Sequence, residues 1–238
     1  MDSDVNVRGR DERSPPLRTL PAEAADLVDD GDTVLLMCPS FAEEESEACI
    51  DLLTLEDPDR TNVLSVAFTQ SPNDRFEAWS RHADGQPARA SIVSVEADTR
   101  SVGEANPVNR RNAVTTPEQA TVDTVSSPEN LTKLGIRIVE RLEALNRESP
   151  DRRTVVCFHS LTTLLQYVSV ERTFEFLHTL TEHAAMDDAT THCHLDPAAH
   201  DEETVATLTE LFDVVCEFDG EWTVRESRPE LHADERHS

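Results

Sequence analysis

At 238 residues the chain is long enough for one sizeable α/β domain and too short for two full ones. Asp and Glu number 48 against 21 Lys and Arg, a formal net charge of -27, and Lys133 is the sole lysine. That balance excludes a general role on nucleic acid, where clustered basic side chains must displace counterions from phosphate.

Carboxylates spread along the whole chain suit a protein dissolved in molar salt, where the Debye length falls to about 3 Å and self-repulsion is screened. The sequence therefore reads as a halophile's cytoplasmic protein. A hydrophobic content of 37% is adequate for a core of Val, Leu and Ala. The cysteines, Cys38, Cys49, Cys157, Cys193 and Cys216, form no C-x-x-C pair and lie mostly inside apolar runs, as small core residues of a reducing compartment do. The first residues lack an apolar signal core, and no apolar run approaches the ~20 residues that span a bilayer, so no membrane partner is expected.

In chain order, residues 1–17 are charged and Pro-bearing without apolar period, and are expected as a flexible lead. Leu20, Ala24, Leu27 and Val28 stand at helical spacing over 20–29, stopped by Asp30-Gly31. The continuous apolar run 33–38 predicts a strand buried on both faces. A helix over 42–53 follows, with Glu43, Glu44 and Glu45 in its first turns, where the helix dipole favours acids. Strands are predicted over 62–69 and 88–97, with a short helix from Ser71-Pro72 to Trp79 between them. Residues 98–127 carry scattered valines among polar residues and are expected as a long loop.

The clearest helix starts after Ser126-Ser127-Pro128-Glu129 and repeats Leu131, Leu134, Ile138, Leu142 and Leu145 along one face. The central strand, 154–159, ends on His159. A helix over 169–186, a strand over 190–195 and a helix over 202–212 follow. A hairpin turning at Asp219-Gly220 closes the domain, and residues 227–238 read as a flexible tail. The expected organisation is one domain over 18–226. Its class is α/β, a mostly parallel central sheet with helices on both faces and a C-terminal β-hairpin. Ligands of such sheets bind beyond the carboxyl ends of the strands, which points to 38–42, 69–73, 159–163 and 196–200.

Three kinds of chemistry can be weighed there. A phosphate loop would fall on 38–45, but it needs glycines and a lysine, and this stretch has neither. It places three glutamates where a triphosphate would rest, and like charges oppose binding. A metal site is suggested by His192, His194, Asp196 and His200. Alternate strand residues share a face, so His192 and His194 project together with Cα atoms about 6.5–7 Å apart. Serine-hydrolase chemistry lacks its G-x-S-x-G elbow, Cys157 reads as core, and Thr162 and Thr163 read as partners of nearby backbone groups.

Residues 154–168, the helix before them and the stretch 192–215 resemble haloarchaeal domains of unknown function related to the RecA/KaiC-like ATPase group. The resemblance covers most of 20–226 and implies that group's three-layer sandwich. It sets the Walker B acid's place on His159 and the phosphate loop on Cys38 to Glu45. Ser40, Glu44, His159, Ser160 and Thr162 are then the positions of a degenerate nucleotide site. Because both catalytic features are lost, the expectation is a non-catalytic domain that works by protein contact, in regulation or signalling, without a cofactor. A homo-oligomer is compatible with that reading. The rivals are an ATP/Mg-binding protein with an unorthodox loop, favoured if Lys133 or Arg137 points into the site, and a metal-dependent enzyme or sensor, with zinc or a similar ion, using His192, His194, Asp196 and His200.

Overall fold

A computed structural model describes residues 19–227, apart from 22, 41, 69, 84 and 97–119. The expected lead, residues 1–17, lies outside the described residues, as do 228–238 of the expected tail.

The first half of the chain forms α1 (Glu23–Leu27), β1 (Thr33–Met37), α2 (Glu43–Leu53), β2 (Thr61–Ala67), α3 (Pro72–His82), β3 (Arg89–Val95) and β4 (Ala120–Val125). The second half forms α4 (Leu131–Glu148), β5 (Arg153–His159), α5 (Leu161–Leu164), α6 (Val170–Met186), β6 (Thr190–Leu195), α7 (Glu202–Thr209), β7 (Val214–Phe218) and β8 (Trp222–Glu226). One sheet holds all eight strands in the order β4-β3-β2-β5-β6-β1-β7-β8. All pairings are parallel except the closing β7-β8 hairpin.

The continuous apolar runs become strands because both sheet faces are covered. On one face Leu35, Leu64, Val93, Val156, Phe158 and Cys193 pack with α4, α6 and α7 through Leu134, Ile138, Leu142, Leu177 and Leu208. On the other, Val34, Leu36, Val63, Val155 and Cys157 pack with α1, α2 and Trp79 of α3. Adjacent strand residues point to opposite layers, so Val155 and Cys157 serve one core while Val156 and Phe158 serve the other.

Turn and cap chemistry fixes several boundaries. Ser71 and Asp74 close α3 with a capping box, each side chain bonding the other's backbone N–H. Gly220, at φ 81°, takes the left-handed position in the hairpin turn, where a side chain would be strained. Asp213 accepts from both the backbone N–H and the hydroxyl of Thr33, at 2.9 and 2.7 Å, tying β7 to the start of β1.

Two expectations change. The stretch 98–127 is not all loop: its end forms β4, which extends the parallel sheet beside β3, while 98–119 lie outside the described residues. Val122 and its neighbours are an edge strand, whose weak alternation hides it in sequence. The α4 cap is Asn130, whose side chain accepts from the Lys133 N–H; Ser127 instead accepts from Glu129 in the preceding turn. The other helices and strands differ from expectation by a few residues at their ends, and α1 and α7 are shorter than predicted.

The chain runs from β1 over two strand positions to β2, works outward to β4, then returns to fill the gap with β5 and β6. Helices α2 and α3 cover one face and α4, α6 and α7 the other. The carboxyl ends of β1, β6 and β5 therefore lie side by side at a change in winding direction, the usual place for a site in such sheets.

Candidate functional site at the carboxyl ends of β5 and β6

Four elements converge here. Helix α2 presents Glu45 and Cys49, one turn apart and both buried. Strand β5 presents Cys157 and His159, and β6 presents His192 and His194 on the same face, because Cys157 is the register partner of His192. Helix α3 adds Arg75, which is 8% exposed beside Phe76 and Trp79.

The contacts are short and nearly closed. Cys49 Sγ lies 3.6 Å from Cys157 Sγ and 3.4 Å from His192 Nε2, and Cys157 Sγ lies 3.6 Å from His194 Nε2. His194 Nδ1 is 2.9 Å from Glu45 Oε1, and His159 Nε2 is 3.2 Å from the same oxygen. A carboxylate only accepts, so both imidazoles donate to it. Arg75 Nη2 reaches Cys157 Sγ at 3.2 Å and Cys49 Sγ at 3.5 Å. The His159 and His192 rings stand 4.6 and 5.3 Å from His194. The Nδ1 atoms of His159 and His192 are buried without a hydrogen-bond partner among the described residues. The His159–Ser160 peptide is cis.

Burial opposes charge on Glu45, but the bonds from His159 and His194 outweigh it and hold its pKa near about 2. Burial likewise opposes charge on His194, and the nearby Cys49 sulfur and Glu45 carboxylate overcome it, raising its pKa to about 9. His159 and His192 go the other way, with burial dominant. The bond from Cys157 and the charge of Arg75 push the Cys49 thiol well down, while burial pushes Cys157 well up. Both sulfurs lie within hydrogen-bond reach of the Arg75 guanidinium. Burial and the adjacent acids push Cys38, at the end of β1, up to about 12.

Of the residues singled out from sequence, His159, His192 and His194 come together here, and Glu44 lies one residue from Glu45 in the first turn of α2. Asp196 does not join them. Its carboxylate accepts from the backbone N–H groups of Ser40, at 2.8 Å, and Ala198, at 3.0 Å. His200 also stands apart, at the foot of α7, where Asp201 is the cap. Ser160 caps α5 by accepting from Thr163 N–H, and the Thr162 hydroxyl accepts from Asp196 N–H. The Lys133 backbone N–H bonds the Asn130 side chain at the start of α4, and Arg137 pairs with Glu140 on the same helix.

Sequence reasoning read Cys49 and Cys157 only as core residues and did not single out Arg75. A signal existed for Arg75: it shares the helical face of Phe76 and Trp79, an odd place for a charge. No local pattern reveals that α2 lays Cys49 across Cys157, since their separation is 108 residues.

Fold and site together define an α/β three-layer domain with a buried Cys/His/Glu/Arg cluster under the carboxyl edge of its sheet. The chain belongs to the family of unknown function DUF7504, whose model matches residues 31–218. A structure from a structural study of a Pyrococcus horikoshii OT3 protein is similar in fold, with a TM-score of 0.51 at 12% identity. The match covers 87% of this chain and 92% of that one. No curated protein matches the sequence. No helix among the described residues is long and apolar enough to cross a membrane.

Proposed function

We propose that the chain is a non-catalytic RecA/KaiC-like domain that acts through protein contacts, in a regulatory or signalling role, in a halophile's cytoplasm. One observation carries this reading: the Glu45 carboxylate lies against His159, the position where the resemblance sets the Walker B acid. The strand bearing the phosphate-loop equivalent and the strand bearing His159 are separated only by β6, so the two equivalents face one place. In a working site that place holds phosphate oxygens and a metal ion. Here an anion occupies it, paired with two imidazoles, and the loop before it offers no glycine to let backbone N–H groups surround a phosphate.

The surface supports contact with another protein. Between α4 and α6 runs an apolar groove of about 600 Å³, lined by Leu131, Gly135, Ile136, Val139, Phe176 and Leu180. Glu140, Glu143 and Glu175 line it together with Arg172 and His183, which suits a partner helix that is apolar toward the groove and carries charges of both signs at its edges. The acidic composition supports the halophilic setting.

Thermal unfolding in molar KCl tests the nucleotide half of the proposal. The midpoint is expected to be the same with and without Mg-ATP. A ligand at a hundred times its dissociation constant stabilises by about 2.7 kcal/mol, so an upward shift would restore nucleotide binding and overturn the reading.

A further inference from the structure

The geometry points to a structural zinc site inside the domain, formed by Cys49, Cys157, His192 and His194. This inference stands apart from the nucleotide reading, since it concerns the layer beneath the sheet edge. The four ligand atoms lie within 4.8 Å of one another. Tetrahedral zinc, with bonds of about 2.3 Å to sulfur and about 2.0–2.1 Å to nitrogen, sets sulfurs about 3.8 Å apart and sulfur and nitrogen about 3.5 Å apart. The protein holds its sulfurs 3.6 Å apart and its sulfur-to-Nε2 pairs at 3.4 and 3.6 Å. Two thiolates with two imidazoles is the donor set that selects this metal and geometry.

The surrounding groups fit the same occupant. Glu45 accepts from His194 Nδ1–H, which fixes the ring with Nε2 toward the sulfurs, the carboxylate–histidine arrangement common behind metal ligands. Arg75 donates to both sulfurs, the kind of bond that stabilises thiolates. Two thiolates balance a dication and Glu45 balances Arg75, so the assembly carries no net charge in a dry core. All four ligands come from the protein and are at most 1% exposed, which leaves no open position and makes the site structural.

The order Cys157, His194, Glu45 also matches a nucleophile, its base and an orienting acid. Thiol catalysis is disfavoured because Cys157 is 0% and His194 1% exposed, so no substrate atom can reach the sulfur. The ligands join α2, β5 and β6, and the metal would pin the helix after β1 to the middle of the sheet.

Elemental analysis of the full chain purified in molar KCl, followed by cobalt substitution, tests this. The expected result is one zinc per chain. Replacing it with cobalt should give thiolate charge-transfer absorption and the strong visible bands of a tetrahedral ion. Cys49→Ala should lose both the metal and the spectrum, His200→Ala should keep both, and Glu45→Gln should weaken zinc binding about 10–100-fold. Should Cys49→Ala fail to fold, the cobalt spectrum of the wild-type chain decides alone. A folded wild-type chain that takes up neither ion, or a cobalt spectrum without thiolate bands, would overturn the inference.

Discussion

Phe158→Ala is expected to lower the unfolding free energy by about 3–5 kcal/mol, the range for deleting a large buried aromatic ring. Phe158 is 0% exposed and lies in β5, the strand between β2 and β6. Its ring centroid is 5.3 Å from that of Phe68 and 6.3 Å from that of Phe176, so it joins the end of β2 to α6 across the layer. Alanine leaves a cavity that neither neighbour can fill without leaving its own packing. For a domain of this size the midpoint should fall on the order of 10 °C. Ile136→Ala is the matched control: at 53% exposed it should stay within about 0.5 kcal/mol of wild type. Urea melts of both variants check this, and equal midpoints would mean the layer is not packed as described.

The second large effect is expected at Glu45. Glu45→Ala removes the acceptor of two buried imidazole N–H groups, on His159 and His194, at about 1–3 kcal/mol for each donor left without a partner. Glu45→Gln keeps the volume and one acceptor oxygen, so it should recover a large part of the loss. Denaturant melts of the three proteins give the ranking wild type, Gln, Ala. If Ala unfolds at the wild-type midpoint, Glu45 does not hold the cluster together.

How much of this was legible beforehand differs by level. The apolar runs around Leu35, Leu64 and Val156 carried the strands, and the spacing from Leu131 to Leu145 carried α4, because these signals are local. Strand β4 was hidden, since Thr121, Val122 and Asp123 at an edge alternate weakly. Strand alternation placed His192 and His194 together, and that pairing is present. Their companions were not readable: Asp196 and His200 follow closely in sequence yet bond backbone or stand apart, while Cys49, Cys157 and Glu45 arrive from other elements. A short sequence separation is weak evidence of contact once a strand has ended. Which helix covers which strand depends on the winding of the whole sheet, and no window of sequence contains it. Arg75 shows the converse, a residue whose unusual place on an apolar helical face was visible before its partners were.

On the proposed reading, the edge of the sheet where ATP chemistry would sit is closed by a cluster of the protein's own side chains. Phosphate release from Mg-ATP by the full chain in molar KCl tests it most directly. The predicted rate is that of the protein-free blank, unchanged in His159→Ala and Glu45→Gln. Turnover above the blank that disappears in either variant would contradict the account and make the same cluster an active site.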